Sequence, residues 1–415
     1  MEIKLNNSNK FKIIEIDNTH YRDLFLLKSD DVNLVISLET FNILKLLKEK
    51  GKAKIANLSK ELKELIKHNL VICSDANLDI SSSLYIWLHL TDECNLDCKY
   101  CYIPSLHSKN KIRDGFFEKL AEVIIRDKSK YNEVNLKLAG GEPFLTLKSW
   151  KIGFNFFVKE LRENGIALNI RVISNLTIIN DEIINFIKNY RINLSFSIDS
   201  LNSENSRIFY RKNVNSSAKV LENLKILNNS GITPSAMITV DKSNYKSVKD
   251  LVEYLIDNDI VFRISDDKGE SNFTDEFEFA LNQTIDLLNK AAKNDKDIIY
   301  KFLISDLNTL YPKAEPCSMG KTGTAIYMNG DIFFCHTEFG TENKLGNLWS
   351  INSLDETIRS GYHKHLNLSS DCDKCSYRAI CAGGCPLYRV NGKSPQCTTY
   401  QNIIRNVVEL YEKCE

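Results

Sequence analysis

Residues 84–101 read LYIWLHLTDECNLDCKYC, an apolar run followed by Cys94, Cys98 and Cys101. The aromatic and branched residues from Tyr85 to Leu90 predict a strand. The three cysteines then fall on the loop just past it, where α/β folds gather their ligands. Three thiolates on one short loop can hold three irons of a cubane and leave the fourth iron open to a non-protein ligand.

Outward from this stretch the chain keeps a strand-then-helix rhythm. Strands are predicted at Tyr85–Leu90, Glu133–Leu138, Leu168–Ser174, Leu194–Asp199, Ser235–Val240 and Ile260–Ile264. Amphipathic helical patterns separate them at Phe116–Lys128, Trp150–Asn164, Asp181–Asn189, Ala218–Asn229 and Ser247–Asn258. Six such repeats indicate a parallel α/β sheet, open or closed into a partial barrel.

Before this rhythm, residues 1 to about 84 carry short strand-like runs at Phe11–Ile16, Leu24–Leu27 and Val32–Leu38. Helical patterns follow at Thr40–Lys50 and Ile55–His68, then the strand-like Leu70–Ile72. That order suits a small winged helix-turn-helix module. Residues 1–80 hold 13 Lys plus Arg against 12 Asp plus Glu, so DNA binding is disfavoured. Serines 81–83 are a short linker. Beyond Ile264, Ser265–Asp275 reads as a loop, two helical segments run to about Tyr311, and a glycine- and cysteine-rich tail occupies 317–397. Regular structure is expected to be sparse in that tail, with metal supplying much of its stability.

Whole-chain numbers bound the function. At 415 residues with 43% hydrophobic content, the chain can build two or three packed cores. Lys plus Arg and Asp plus Glu each number 54, so no field of one sign steers it to nucleic acid or an anionic membrane. Neither a membrane span nor a signal core is seen, which points to the cytoplasm. There, twelve cysteines are metal ligands or catalytic groups before they are disulfides. Seven lie between 317 and 397, none lies between Cys101 and Cys317, and Cys73 and Cys414 stand apart as small apolar fillers or surface thiols.

The CxxxCxxC spacing, with Tyr100 before its last cysteine, resembles the signature of the radical S-adenosylmethionine (SAM) superfamily. The resemblance implies a partial (β/α)6 TIM-like barrel whose 4Fe-4S cluster, on Cys94, Cys98 and Cys101, passes one electron to SAM and releases a 5'-deoxyadenosyl radical. Gly140-Gly141-Glu142-Pro143 resembles the family's GGEP segment, whose backbone carbonyls and carboxylate hold the cofactor's amino group. Ser174 and Asn175 resemble the ribose-contacting pair, and Ser197-Ile198-Asp199 the S-φ-D segment. Arg211 would pair with the cofactor carboxylate, Tyr100 would pack near the adenine, and Ile238–Val240 would line its pocket.

The tail reads Cys317-x12-Gly330-x4-Cys335, then Cys372-x2-Cys375-x5-Cys381-x3-Cys385-x11-Cys397. It resembles the SPASM extension of radical enzymes that act on peptides, with zinc binding as the alternative. By that pattern Cys372, Cys375, Cys381 and Cys397 hold one auxiliary iron–sulfur cluster, and Cys317, Cys335 and Cys385 a second that is one ligand short. Lys321, Thr322 and Gly323 offer no thiolate there, and His336 beside Cys335 is a weak candidate for the vacancy.

The division implied is 1–84 winged-helix-like peptide recognition, 85–265 radical SAM core, 266–311 helical bridge and 312–415 SPASM domain. The expected function is maturation of a ribosomally made (RiPP) precursor peptide: hydrogen abstraction followed by a thioether or C–C crosslink. The peptide's leader would add as a strand to the N-terminal module, and a flavodoxin or ferredoxin would donate electrons. Alternatives are a sulfatase maturase that forms formylglycine, a peptide epimerase, a quinone-cofactor maturase and, outside enzymes, an iron–sulfur redox-sensing regulator. No catalytic base or radical relay is assigned.

Overall fold

Strand β7 (Ser83–His89) begins the main sheet, and alternation decides which of its side chains are buried. Leu84, Ile86 and Leu88 are at most 1% exposed, whereas Tyr85 and Trp87 face the other way. The computed structural model describes residues 2–5, 11–15, 24–29, 33–50, 52–54, 62, 65, 71–73, 83–201, 207–212, 214–268, 274–292, 315–375 and 377–412.

Six strands lie side by side in chain order, all parallel: β7, β9 (Glu133–Ala139), β10 (Ala167–Ser174), β11 (Asn193–Ser197), β13 (Ser235–Val240) and β14 (Phe262–Asp266). Helices α2 (Phe116–Arg126), α3 (Leu147–Glu163), α4 (Asp181–Asn189), α5 (Ser217–Asn229) and α6 (Val248–Asp257) connect them. The parallel α/β expectation therefore holds, with strand and helix bounds within about three residues of those read from periodicity.

The helices form where apolar residues recur at helical spacing. In α3, Trp150, Phe154, Phe157 and Leu161 form the buried stripe, and Trp150 meets Phe186 of α4 edge-on at 5.4 Å. Burying each such side chain contributes roughly 1.5–3 kcal/mol. Asn180 caps α4, its side-chain oxygen accepting from Ile183 N at 2.9 Å.

The tail holds more regular structure than expected. Strand β15 (Gly323–Ile326) pairs in parallel with β7, and β16 (Asp331–Phe333) and β17 (Lys344–Asn347) follow antiparallel, so one nine-stranded sheet runs from β14 to β17. Helices α8 (Leu354–Ser360) and α11 (Cys397–Glu412) add to it. In the chain's middle, α7 (Thr274–Ala292) is the first of the two expected helical segments; the second lies outside the described residues.

At the N-terminus, β2 (Phe11–Glu15), β3 (Leu24–Ser29) and β4 (Asn33–Ser37) form an antiparallel sheet that leads into α1 (Leu38–Lys50). β1 (Glu2–Leu5) pairs with both β5 (Lys52–Lys54) and β6 (Val71–Cys73), the strand that contains Cys73. Of the helix expected at Ile55–His68, only Leu62 and Leu65 are described, both buried. Ser81, Ser82 and Cys414 lie outside the described residues, and Ser83, expected in a linker, starts β7.

Candidate active site

The cysteine loop is fixed from two sides. Gly141 N donates to Thr91 O at 2.7 Å and Glu142 N to Glu93 O at 2.8 Å. A Cβ on Gly141 would stand 2.2 Å from Glu93 O, so only glycine permits this approach. On the other side, β8 (Leu96–Cys98) pairs antiparallel with β12 (Arg207–Phe209), making Arg207 the register partner of Cys98.

Cys94, Cys98 and Cys101 line a cavity of about 1140 Å³ beside Tyr100, Gly140, Gly141, Ser174, Asn175 and Ser197. Sequence reading thus named residues that the fold does bring together. Cys94 Sγ accepts from Leu96 N at 3.4 Å and from Asn175 Nδ2 at 3.8 Å. Burial pushes the Cys94 thiol up to about 12 and the Cys98 thiol to about 11, with Arg207 pulling the latter down. Bare thiolates are therefore disfavoured unless cations accompany them. Among the described residues no three His, Cys, Asp or Glu side chains close round a single ion. The donor set fits a multi-iron group in which each thiol takes its own iron.

Four carried-over residues, Glu142, Pro143, Asp199 and Arg211, do not line the cavity as expected. Glu142 is fully buried and does not line the cavity: its Oε1 accepts from Ser174 Oγ at 2.9 Å and Phe144 N at 3.1 Å, and its Oε2 from Asn175 N at 2.6 Å. Burial pushes its carboxyl up to about 7 against these donors. Glu142 thus braces the Ser174–Asn175 turn, and Gly140 and Gly141 are the members of the segment that reach the cavity. Its neighbour Pro143 is buried, with its carbonyl accepting from Trp150 Nε1 at 3.1 Å.

Arg211, expected at the cofactor carboxylate, is exposed, lies outside the cavity lining, and sits over the Tyr210 ring at 4.8 Å. The cavity arginine is Arg207, four positions earlier, because the β8–β12 pairing carries it over the cysteine loop. Arg207 Nη1 donates to Tyr100 Oη at 2.6 Å and lies 3.9 Å from Asp199 Oδ2. The Tyr100 hydroxyl donates to Asp199, whose Oδ1 accepts from Thr239 N at 2.9 Å. Asp199 is fully buried behind Tyr100 and is not a lining residue. Three-residue strands leave no periodic signal, which is why sequence reading missed Arg207. Ile238 lines the cavity, whereas Val240 does not.

The tail's cysteines divide into two sets. Cys372, Cys375, Cys381 and Cys397 line a small cavity of about 20 Å³ with Lys393 and Gln401. Gln401 Nε2 donates to Cys375 Sγ at 3.7 Å and to Cys397 Sγ at 3.9 Å. Cys317, Cys335 and Cys385 instead line the large cavity, as does Cys381. Between Cys381 and Cys385 three consecutive residues, Ala382, Gly383 and Gly384, have positive φ, and Arg389 donates to all three of their carbonyls. None of these seven cysteines or of the three in the first loop is disulfide-bonded. His336 stacks on Trp87 at 3.8 Å, and its Nδ1 lies 3.5 Å from the neighbouring Cys335 Sγ.

Comparison with known proteins agrees with this geometry. Residues 88–255 match the model of the Radical SAM superfamily. The radical SAM cyclopropyl synthase TigE of Paramaledivibacter caminithermalis is 23% identical over 359 residues, covering 78% of this chain and 74% of TigE. The cysteine-type anaerobic sulfatase-maturating enzyme of Clostridium novyi is 23% identical over 323 residues, covering 71% of this chain and 85% of that enzyme. Among solved structures, anSMEcpe with bound AdoMet superposes with a TM-score of 0.66 at 16% identity, covering 80% of this chain and 99% of that one. SuiB of Streptococcus suis, bound to its precursor peptide SuiA, gives a TM-score of 0.50 at 16% identity, covering 95% and 98%. No helix among the described residues is long and apolar enough to cross a membrane. With its cysteine loop at the mouth of a parallel sheet, the chain carries a radical SAM domain at residues 88–255 and is related to radical SAM enzymes.

Proposed function

We propose that this enzyme matures a precursor peptide, abstracting a hydrogen and installing a thioether or C–C crosslink. The observation that carries the reading is the shared cavity: the thiols of the radical SAM loop and Cys317, Cys335 and Cys385 line one space. A peptide held there would meet both proposed iron sites. In support, the relative TigE is named a cyclopropyl synthase, and SuiB, similar in fold, is bound in its solved structure to the precursor peptide SuiA. The cysteine-rich tail is read as a SPASM domain with two auxiliary clusters. Residues 1–84 are read as a winged-helix-like leader-recognition module, residues 266–311 as a bridge, and the cytoplasm as the compartment that keeps these thiols reduced.

Cys94, Cys98 and Cys101 would hold the 4Fe-4S cluster. Bound there, it supplies the electron that splits SAM to a 5'-deoxyadenosyl radical. The protein's own groups do the positioning. Gly140 and Gly141 offer backbone to the cofactor's amino group, Ser174 and Asn175 edge the ribose side, and Arg207, held by Asp199 and Tyr100, faces the cofactor carboxylate.

The test is anaerobic incubation of the reconstituted enzyme with SAM, a reductant such as reduced flavodoxin, and the peptide encoded beside its gene. A product lighter by two hydrogens is expected. Cleavage of the cofactor with an unchanged peptide mass would overturn the reading. Replacing Cys94, Cys98 or Cys101 with Ala should abolish 5'-deoxyadenosine, whereas Cys372→Ala should spare abortive cleavage and stop product. A second reading, formylglycine formation, draws on the sulfatase-maturating relative. A product in which a Cys or Ser has become an aldehyde, trapped with a hydrazide probe and carrying no crosslink, would favour it.

A further inference from the structure

The inner face of the sheet carries a lysine that the cofactor does not require. Lys137 of β9 lines the cavity two residues before Ala139, which lines it too. At about 3.3 Å per residue this places Lys137 roughly 6–7 Å deeper than the strand end where Gly140 and Gly141 would meet the cofactor. Its register partner on β7 is Trp87. The ammonium lies 5.0 Å from the Trp87 ring centroid, and that ring stacks on His336, the neighbour of Cys335. Lys137 therefore stands near the Cys335 side of the cavity that the first cysteine loop also lines.

Among the described residues no hydrogen bond or ion pair engages the Lys137 ammonium. Of the three acids that line the cavity, Asp266 pairs with Lys268 and Asp241 accepts from Ser243 N at 2.7 Å and Asn244 N at 3.1 Å in its own turn; Asp267 is the third. Arg263 of β14 lines the same space and adds a second positive charge. A cation held against aromatic walls away from bulk water is costly until an anion meets it.

We propose that Lys137, supported by the charge of Arg263, binds a carboxylate of the substrate close to the residue that reacts. The inference rests on the reading that the substrate is a peptide. It assigns the substrate class as a peptide with an Asp or Glu beside the reacting position, or with its free C-terminus there. Both sources present the same group, and Lys137 takes it by charge-assisted hydrogen bonds.

Calorimetric titration of the SAM-loaded holoenzyme with three probes tests this: acetyl-Gly-Asp-Gly-amide, acetyl-Gly-Asn-Gly-amide and acetyl-Gly-Gly-Gly with a free carboxylate. At least one acid should bind tenfold or more tightly than the Asn peptide, and which acid does so distinguishes side chain from C-terminus. Lys137→Met should erase the preference and Lys137→Arg should keep it. Equal binding of all three, no binding of either acid up to its solubility limit, or a preference that survives in Lys137→Met would each overturn the inference. The wild-type comparison alone decides if a variant fails to fold. Normal cofactor cleavage with no carboxylate preference sinks only this inference, whereas an unmodified native precursor sinks the peptide-maturase reading.

Discussion

Tyr327, the residue after β15, places its hydroxyl 2.7 Å from each carboxylate oxygen of Asp92, two residues before Cys94. Asp92 is fully buried and also meets His89 Nε2 at 2.8 Å, Ser108 Oγ at 3.2 Å and Asn110 Nδ2 at 3.3 Å. The tail thus donates a hydrogen bond directly to the base of the first cysteine loop.

Tyr327→Phe should therefore destabilise the protein and loosen that loop. A hydrogen bond to a charged group contributes about 1.5–3 kcal/mol. The expected result is a lower Tm and faster iron loss from the first cluster, read by thermal unfolding and by chelator challenge. Unchanged iron loss would show that Tyr327 does not hold the loop.

Arg207 and Arg211 give opposite expectations. Arg207→Met should weaken SAM binding tenfold or more, about 1.4 kcal/mol at the least, because the guanidinium faces the cavity from the position opposite Cys98. Arg211→Ala, which removes a side chain stacked outside the cavity on Tyr210, should leave cofactor affinity where it was. Equilibrium binding of SAM to both reconstituted variants checks the pair.

Gln401→Leu removes two N–H donors from Cys375 and Cys397. Hydrogen bonds to cluster sulfurs favour the reduced, more negative state. The proposed auxiliary cluster should therefore be harder to reduce in the variant, with its iron content unchanged. A fall of several-fold in the reduced fraction at fixed potential, followed by electron paramagnetic resonance, is the expected result.

Asp355 of α8 joins tail to core and should impose a pH dependence. It accepts from the Tyr131 hydroxyl, from Lys130 Nζ at 3.0 Å and from Arg359 Nε at 3.0 and 3.1 Å. Burial opposes its charge, yet these donors outweigh burial and hold its carboxyl below the ordinary 3.8. Folding thus favours the ionised form, so its contribution is present above about pH 3.8 and fades as the pH falls further. Asp355→Asn should lower Tm at neutral pH by the equivalent of about 1–3 kcal/mol, and the gap from wild type should close in acid.

The six parallel strands were legible because each carries a run of Val, Ile, Leu or Phe between helices with clear apolar stripes, as in Val134–Leu136–Leu138 and Trp150–Phe154–Phe157. The cysteine loop and Gly140-Gly141 were legible because few other residue types serve those purposes. Arg207 was not, since its position depends on a three-residue strand pairing across more than a hundred residues with Cys98. Nor was the role of Glu142, because its chemical type suits a ligand and a buried acceptor equally. β15 escaped notice because Gly323 and Thr324 resemble a turn until β7 offers them an edge.

That edge has a consequence for electron traffic. With Gly323, Thr324, Ala325 and Ile326 in register with Tyr85, Ile86, Trp87 and Leu88, β15 is laced to the very strand that leads into the first thiols. A tail tethered by a flexible hinge would let the gap between the proposed iron sites drift. Here main-chain rungs would have to break before it could widen, so the length of any tunnelling path from one end of the cavity to the other is built into the backbone.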